Sequence, residues 1–537
     1  MQRRSVSLRL GTSAVLGLSL VAAACGGGGS DGGDSATGIT VDKGVQDALS
    51  STTTPGSATT MAAKPEPKTM DEWEKLWTAE RAAVVKRIKD NKWGLSADGK
   101  TVTGPEGFTI DVSKCAVGWS NTEGLTDTAF KVGGTLALSG TLADYGNYGK
   151  SIDTLLAYYG DKGAFKDSNG KTRKAVYIQK DDAYDPAKTI PLVDELLDSE
   201  KAFAIWTLGT GPTMKTYDKL NQRCVPDLIA MTGHPAWADP INHPWTSGAP
   251  VPSYTTETQL WGTFIEQRLG EFPTDKKVVV CALVMNNDFG KVYDAGFRSY
   301  VAQSAKLKDR VEFVTETIEP TAPTITDPMT TLGSKNCAFY IAMTAGTSCT
   351  QSVVEAAQNG MKEKVKYLFQ PLTCAGTSFI SKEKVGGDGT ASKGWHMFNP
   401  GIKDIKDPTL SADPWMVFIK DLLTKKGIDP NSSSSLGNGF GYAWPFVQTL
   451  LVAQELPGGL TRTNLVVAHR TLSMTPPTHL YGIKLEMNGN KDAYLIEGGQ
   501  FAVFDSTKQV WELEGSRIDL NGKSSLCAWS QSTSKCS

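Results

Sequence analysis

Residues 130–146, FKVGGTLALSGTLADYG, leave few folds open to the chain. A strand of apolar residues and glycines, 131–138, breaks at Ser139-Gly140, and beyond the loop come Ile152, Leu155, Leu156 and Tyr159. The spacing i, i+3, i+4, i+7 makes one apolar helical face, so the unit reads strand, polar loop, helix. A helix of this kind covers a sheet. The loop is then left at the carboxyl end of the strand, where open α/β sheets bind ligands.

The same rhythm recurs along the chain. Residues 174–179 lead into DDAYDPAK, where Asp185 and Pro186 are natural first residues of a helix. Strands 202–207 and 227–231 open into LGTGPT and TGHPAW. A proline-rich passage, 239–254, interrupts the pattern and reads as a crossing into a second lobe. There a helix carrying Leu260, Phe264, Ile265 and Leu269 precedes 278–285, an unbroken apolar strand of the kind buried on both faces of a parallel sheet. That strand ends in NNDFG, strand 338–343 in TAGT, and strand 365–369 in QPLTCAG. The expected fold class is α/β, two Rossmann-like lobes of parallel sheet flanked by helices. The helix after Gly439 has a wide apolar face and reads as a cover for a sheet.

At 537 residues the chain is too long for one compact core. Its formal charge of -2 becomes -5 without the first 24 residues, which hold Arg3, Arg4, Arg9 and no acid, so nucleic acid is not an expected partner. Those arginines precede an uncharged run, 10–24, that is too short to span a bilayer and reads as an export signal. The small residues before Cys25 resemble a bacterial lipobox, with Ala22 where leucine is usual. That resemblance implies a signal peptide at 1–24, acylation of Cys25 and a lipid anchor as the only tie to the outer face of the cytoplasmic membrane.

Residues 25–68 are rich in Gly, Ser, Thr, Ala and Pro without one aromatic, and are expected to form a flexible tether. An N-terminal helical extension, 69–128, begins with a capping box at Thr69 and Glu72, followed by Trp73, Trp77, Val84 and Ile88 on one face. Next, GLSADGKT (94–101) has the glycine spacing of a phosphate loop. It follows a helix where a strand is required, and reads as a hairpin turn.

Eight cysteines beyond Cys25 permit disulfides in an exported chain. Spacing alone does not fix their connectivity. Cys349 with Cys374 and Cys115 with Cys527 are the expected pairs, and Cys281, inside an apolar strand, reads equally as a buried free thiol. The five histidines have no metal-ligand spacing, and neither metal nor cofactor is expected.

Gly209, Gly211, Gly233 and Gly346 follow strands and precede helices, so backbone N–H groups can face an anion of carboxylate size. Thr210, Thr213, Thr232 and Thr344 add hydroxyls, while Tyr145, Trp237 and Phe289 can wall an apolar body. The runs LSGTLADYG, DDAYDPAK, TLGTGPT, TGHPAW, MNNDFGK and AMTAGTSCTQ resemble, in that order, the leucine/isoleucine/valine-type substrate-binding proteins of ABC importers. The resemblance covers 129 to about 513.

It implies a type I periplasmic-binding fold, hinged by three crossing strands: lobe one at 129–252 and 401–490, lobe two at 253–400 and 491–520, and a tail at 521–537. It also implies an ABC permease as partner, a monomeric state and no catalysis. By position, Ser139 and Tyr145 would lie at the cleft rim. Gly209, Thr210, Gly211, Thr232, His234 and Trp237 would hold the ligand on lobe one, and Asn287, Phe289, Thr344, Ala345 and Gly346 would close from lobe two.

One departure bears on the ligand. Amino-acid-binding members place an acid near the ligand ammonium, and the loop aligned there, 370–376, contains none; Asp288 and Asp144 are the substitutes at hand. The expected solute is thus a carboxylate, an amide or a branched-chain amino acid. A ligand-sensing module is the alternative, and an exported hydrolase a remote one, since no strand leads into a G-x-S-x-G elbow and HExxH is absent.

Overall fold

The computed structural model describes residues 39–51, 65–533 and 535–536. The export signal, Cys25 and the rest of the expected tether lie outside them. Two parallel sheets dominate, and both have the same strand order. In the first, Ala129–Leu136 lies between Lys174–Asp181 and Ala204–Thr207. A parallel bridge from Leu208 to Met231 adds Asp227–Ala230, and Thr246–Gly248 pairs beyond it. In the second, Val278–Met285 lies between Val311–Ile318 and Phe339–Met343, followed by Tyr367–Phe369 and Trp395–Asn399, all parallel. Two antiparallel strands, Gly499–Asp505 and Val510–Ile518, extend it to seven.

Numbered along the chain, each set of five runs 2-1-3-4-5, so the connections after strands 1 and 3 leave on opposite faces of the sheet. That reversal opens a crevice at the strands' carboxyl ends. The apolar spacing reads true here, for Ile152, Leu155, Leu156 and Tyr159 are all buried in the helix Asn147–Asp161. Asp185 caps Pro186–Asp198 by accepting the Ala187 N–H.

The helix Ser435–Ala453 packs on Asn147–Asp161, where Gly439 approaches Tyr148 so closely that a Cβ would stand 2.7 Å from the Tyr148 Cα. Met70–Asp90, capped by Thr69 as the sequence indicates, lays Trp73, Trp77, Val84 and Ile88 against the same helical layer. Residues 94–101 form a turn between Gly94–Leu95 and Thr101–Thr103, so their glycines serve a hairpin.

Two expectations are corrected. Part of the expected tether is ordered: Lys43–Ser51 is a helix whose Val45 and Leu49 are buried against Leu260, Phe398 and Leu520. Asp42, which accepts the Gly44 N–H, also accepts the Ser525 N–H and hydroxyl. The two apolar residues sit four apart, enough for one short docking stripe despite the polar composition around them.

The second correction concerns the cysteines. Cys349–Cys374 forms as expected, but Cys115 pairs with Cys224, Cys527 with Cys536, and Cys281 is bonded to Cys337. Cys115 follows a short turn beside the end of helix Thr210–Gln222, where Ala116 donates to the Gln222 carbonyl, so Cys224 is its neighbour.

Loop-closure entropy ranks these bonds. Cys115–Cys224 spans 109 residues and Cys527–Cys536 only 9. The chain-entropy relation gives about 5 and about 2.5 kcal/mol respectively. Chemical denaturation is expected to show C115S/C224S losing roughly twice the unfolding free energy lost by C527S/C536S.

Candidate functional site

The loops at the carboxyl ends of both sheets converge on one cleft of about 820 Å³, its open mouth included. From the first sheet come Leu142, Tyr145, Tyr184, Gly209, Thr232 and Gly233; from the second, Phe289, Ala345, Leu372 and Thr373. Tyr148, Tyr254, Gly437, Asn438, Gly441, Tyr442, Thr478 and His479 also line it, as do the apolar residues Leu208, Met231, Ala249, Pro250, Val251 and Ile402. Among the described residues no Asp, Glu, Lys or Arg lines it.

Tyr145 ties the two lobes together. Its hydroxyl accepts the Gly346 N–H at 2.9 Å and donates to the Thr373 carbonyl at 3.0 Å. Burial pushes the phenol well above its ordinary range, so it remains a hydroxyl able to make both bonds. Beside it, the Thr141 hydroxyl donates to the Pro320 carbonyl and the Thr347 N–H to the Thr141 carbonyl. Gly346 is held at φ +63°, and a Cβ there would stand 2.5 Å from the Thr141 carbonyl oxygen. Only glycine permits so close an approach of the two backbones. The Cys349–Cys374 disulfide joins the two lobe-two segments that Tyr145 contacts.

Tyr184 reaches the cleft through strain. Ala183 and Tyr184 both have positive φ, 52° and 62°, a costly conformation for residues with side chains. The Asp181 carboxylate accepts the Ala183 N–H and that of Asp182 the Tyr184 N–H, which holds the turn. The ring then lies against Gly209, itself at φ +93°, where a Cβ would stand 2.1 Å from a Tyr184 ring carbon. The Thr210 N–H donates to the Tyr184 hydroxyl at 3.3 Å, leaving that hydroxyl's proton for another acceptor.

Burial also raises the phenols of Tyr148, Tyr254 and Tyr442. It pushes the His479 imidazole down to about 3. The cleft therefore offers neutral hydroxyls and a neutral imidazole on an apolar surface. Beneath it lies Glu257, fully buried, which accepts the Leu372 N–H at 2.8 Å and the Tyr293 hydroxyl at 2.5 Å. Burial raises Glu257 to about 8.

This sequence and geometry have likenesses among known proteins. The family model for periplasmic binding proteins matches residues 129–390. The chain has the type I periplasmic-binding fold. A branched-chain amino acid ABC transporter structure from Thermus thermophilus with bound valine is 16% identical, with 74% of this chain and 97% of that one covered at a TM-score of 0.61. A fatty acid ABC transporter substrate-binding protein from Thermomonospora curvata is 16% identical, with 75% and 95% covered at 0.59. A solute-binding protein of an ABC transporter from Rhodopseudomonas palustris BisB5, in complex with 3,4-dihydroxybenzoic acid, is 16% identical, with 74% and 98% covered at 0.56. No curated protein sequence matches.

Within this fold, six sequence-derived candidates line the cleft: Tyr145, Gly209, Thr232, Gly233, Phe289 and Ala345. Others stand just behind it. Thr210 pairs its hydroxyl with that of Thr232 at 2.8 Å, the Gly346 N–H is taken by Tyr145, and the Thr344 carbonyl accepts the Thr373 hydroxyl. Asn287 caps the helix Asp288–Gln303, Gly211 faces Pro186, and Ser139 is exposed beside Asp181.

His234 and Trp237 are displaced from the role expected of them. Pro235 starts a short helical turn, which makes His234 its cap: Nδ1 accepts the Ala236 N–H, and the ring packs edge-on against Trp529. Burial lowers His234 to about 3, and Trp237 packs on Tyr217 instead of the cleft. Neither substitute acid lines the cleft, since Asp144 accepts the Ser433 and Ser435 hydroxyls and Asp288 is exposed.

The helix Ser435–Ala453 does more than cover a sheet. Gly437 and Gly441 leave room for the cleft, and Asn438 and Tyr442 face it. Tyr148 and Tyr184 stood within quoted runs or next to them, and only the backbone turns that aim them were not legible.

Two substitutions test this geometry. Tyr145→Phe leaves the Gly346 N–H and Thr373 carbonyl unpaired at about 1–3 kcal/mol, so calorimetry is expected to show ligand affinity reduced tenfold or more. Glu257→Gln tests the buried acid. An unfolded chain releases this proton near 4.5 and the folded one near 8, so the folded state holds the extra proton between those values and its stability falls as pH rises through them. Melting temperatures of E257Q and wild type are expected to match near pH 4.5, with the variant ahead at pH 8.5.

Proposed function

We propose that the chain is the extracytoplasmic solute receptor of an ABC importer, closing its two lobes over a small organic molecule. The observation that carries this reading is the interlobe cleft itself, built from equivalent loops of two sheets and latched by Tyr145. Hinged closure of this kind captures a ligand without chemical change. The four disulfides suit an oxidising compartment, and no helix among the described residues is long and apolar enough to cross a membrane. Anchoring by an acylated Cys25, delivery to a permease and action as a monomer complete the proposal.

The lining favours a particular solute. An amino acid brings an ammonium, and burying it without a carboxylate partner is costly. Tyrosine hydroxyls and apolar walls suit a body that carries a carboxylate or amide at one edge and is otherwise apolar or aromatic. Among the structural relatives, one holds 3,4-dihydroxybenzoic acid and another is a fatty acid receptor, while the valine-bound one represents the chemistry this lining disfavours.

A thermal-shift screen of residues 26–537 against benzoates, benzamides, short fatty acids and branched-chain amino acids tests the reading. A ligand at 100 times its Kd should add about 2.7 kcal/mol of stability. Shifts with the acids or amides, and none with the amino acids, are expected. Stabilisation by valine or leucine alone would contradict the solute assignment.

A further inference from the structure

Residues 520–536 run from one lobe to the other. They leave the second sheet after the strand Val510–Ile518, and their first half is fastened to that lobe. Leu520 is buried with Leu260 and Phe398. The Glu497 carboxyl group accepts the N–H groups of Gly522 and Ser524, and Asp42 accepts both the N–H and the hydroxyl of Ser525. Against them lies the helix Lys43–Ser51, so close that a Cβ on Gly44 would stand 2.1 Å from the Lys523 carbonyl oxygen.

The second half is fastened to the other lobe. The Cys527 N–H donates to the Ala238 carbonyl at 2.9 Å. Trp529 packs on a cluster of Met214, Tyr217, Ala236 and Trp237, and meets the His234 ring edge-on at 4.5 Å between centroids. The Gln531 carboxamide donates to the Met214 carbonyl at 3.3 Å. Trp529–Ser530 pairs with Lys535–Cys536, and the Cys527–Cys536 disulfide closes this hairpin into a plug.

Only Leu526 separates the last attachment on one lobe from the first on the other. Two residue steps span at most about 7 Å. The lobes therefore cannot move far apart at this point without breaking a bond at one end. The place of attachment links this restraint to the cleft. Thr232 and Gly233 line the cleft, whereas His234 and Trp237, in the same loop, form the seat of Trp529. A solute and the plug thus hold opposite faces of one loop. His234 gains a role here, since its buried ring, fixed by the Ala236 N–H at Nδ1, gives Trp529 a rigid seat.

We propose that residues 520–536 are a strap that biases the two lobes toward the closed arrangement, by tying loop 232–238 of the first lobe to the second. Its effect on solute affinity rests on the receptor reading; its restraint on the lobes does not.

Slack is the test. A flexible Gly-Ser-Gly-Ser-Gly-Ser insert after Leu526 removes no contact and unties the lobes, while Trp529→Ala removes the seat and keeps the tether. Hydrogen exchange of segment 344–347 in the solute-free protein reads opening, because the Gly346 and Thr347 N–H groups bond across the lobes. Both variants are expected to exchange there about two- to tenfold faster than wild type, the effect of restraint worth one hydrogen bond. Strand Val278–Met285 is expected to exchange as before. Should Trp529→Ala loosen that strand too, the insertion variant decides alone. Benzoate or benzamide, whichever stabilises the wild type, is expected to bind the insertion variant more weakly by a similar factor.

Unchanged exchange of 344–347 in the insertion variant would overturn the strap and leave the receptor reading standing. Faster exchange in that variant, with no solute of the screen bound by the wild type, would uphold the strap and count against the receptor reading.

Discussion

One buried hydroxyl governs this molecule's geometry. A phenol taken out of water must find partners, and Tyr145 finds both of its partners in backbone groups of the opposite lobe. Net of water, two such bonds stabilise the closed arrangement by only about 1–3 kcal/mol. That is too little to hold two lobes shut permanently and enough to position them once apolar surface is buried between them. A latch of this strength allows the two lobes to part and meet again. Glycine at 346 is the other half of the device, because any side chain there would collide with the Thr141 carbonyl before the hydroxyl arrived.

The cleft's neutrality follows from what surrounds it. Each nearby acid is already engaged: Asp144 with serine hydroxyls, Asp182 with the Tyr184 turn, Glu257 with Leu372 and Tyr293. These acids shape loops and leave recognition to hydroxyls. The strained backbone at Ala183 and Tyr184 belongs to the same scheme, since it brings a fifth tyrosine to the wall at a position that ordinary helix entry would leave outside.

Much of this was legible in the sequence, for definite reasons. The βα units announce themselves by period, and residues just beyond their strands, such as Gly209, Thr232, Phe289 and Ala345, are placed at the cleft by topology alone. Asn438 and Tyr442 were not legible because they reach the cleft through packing between helices almost 300 residues apart, which no local pattern encodes. His234 misled because its position after a strand is right for a ligand contact, whereas the following proline turns it into a cap. The cysteine pairing failed where it linked distant segments and held where two loops of one lobe meet.

The proposed closure over a solute is completed by the Tyr145 hydroxyl. Hydrogen–deuterium exchange of the segment 344–347, with and without a saturating ligand, tests it most directly, because the Gly346 amide is protected only when the lobes meet. Slow exchange is expected in the liganded protein and faster exchange without ligand, with the difference lost in Tyr145→Phe. Exchange that is equally fast with and without ligand in the wild type would contradict it.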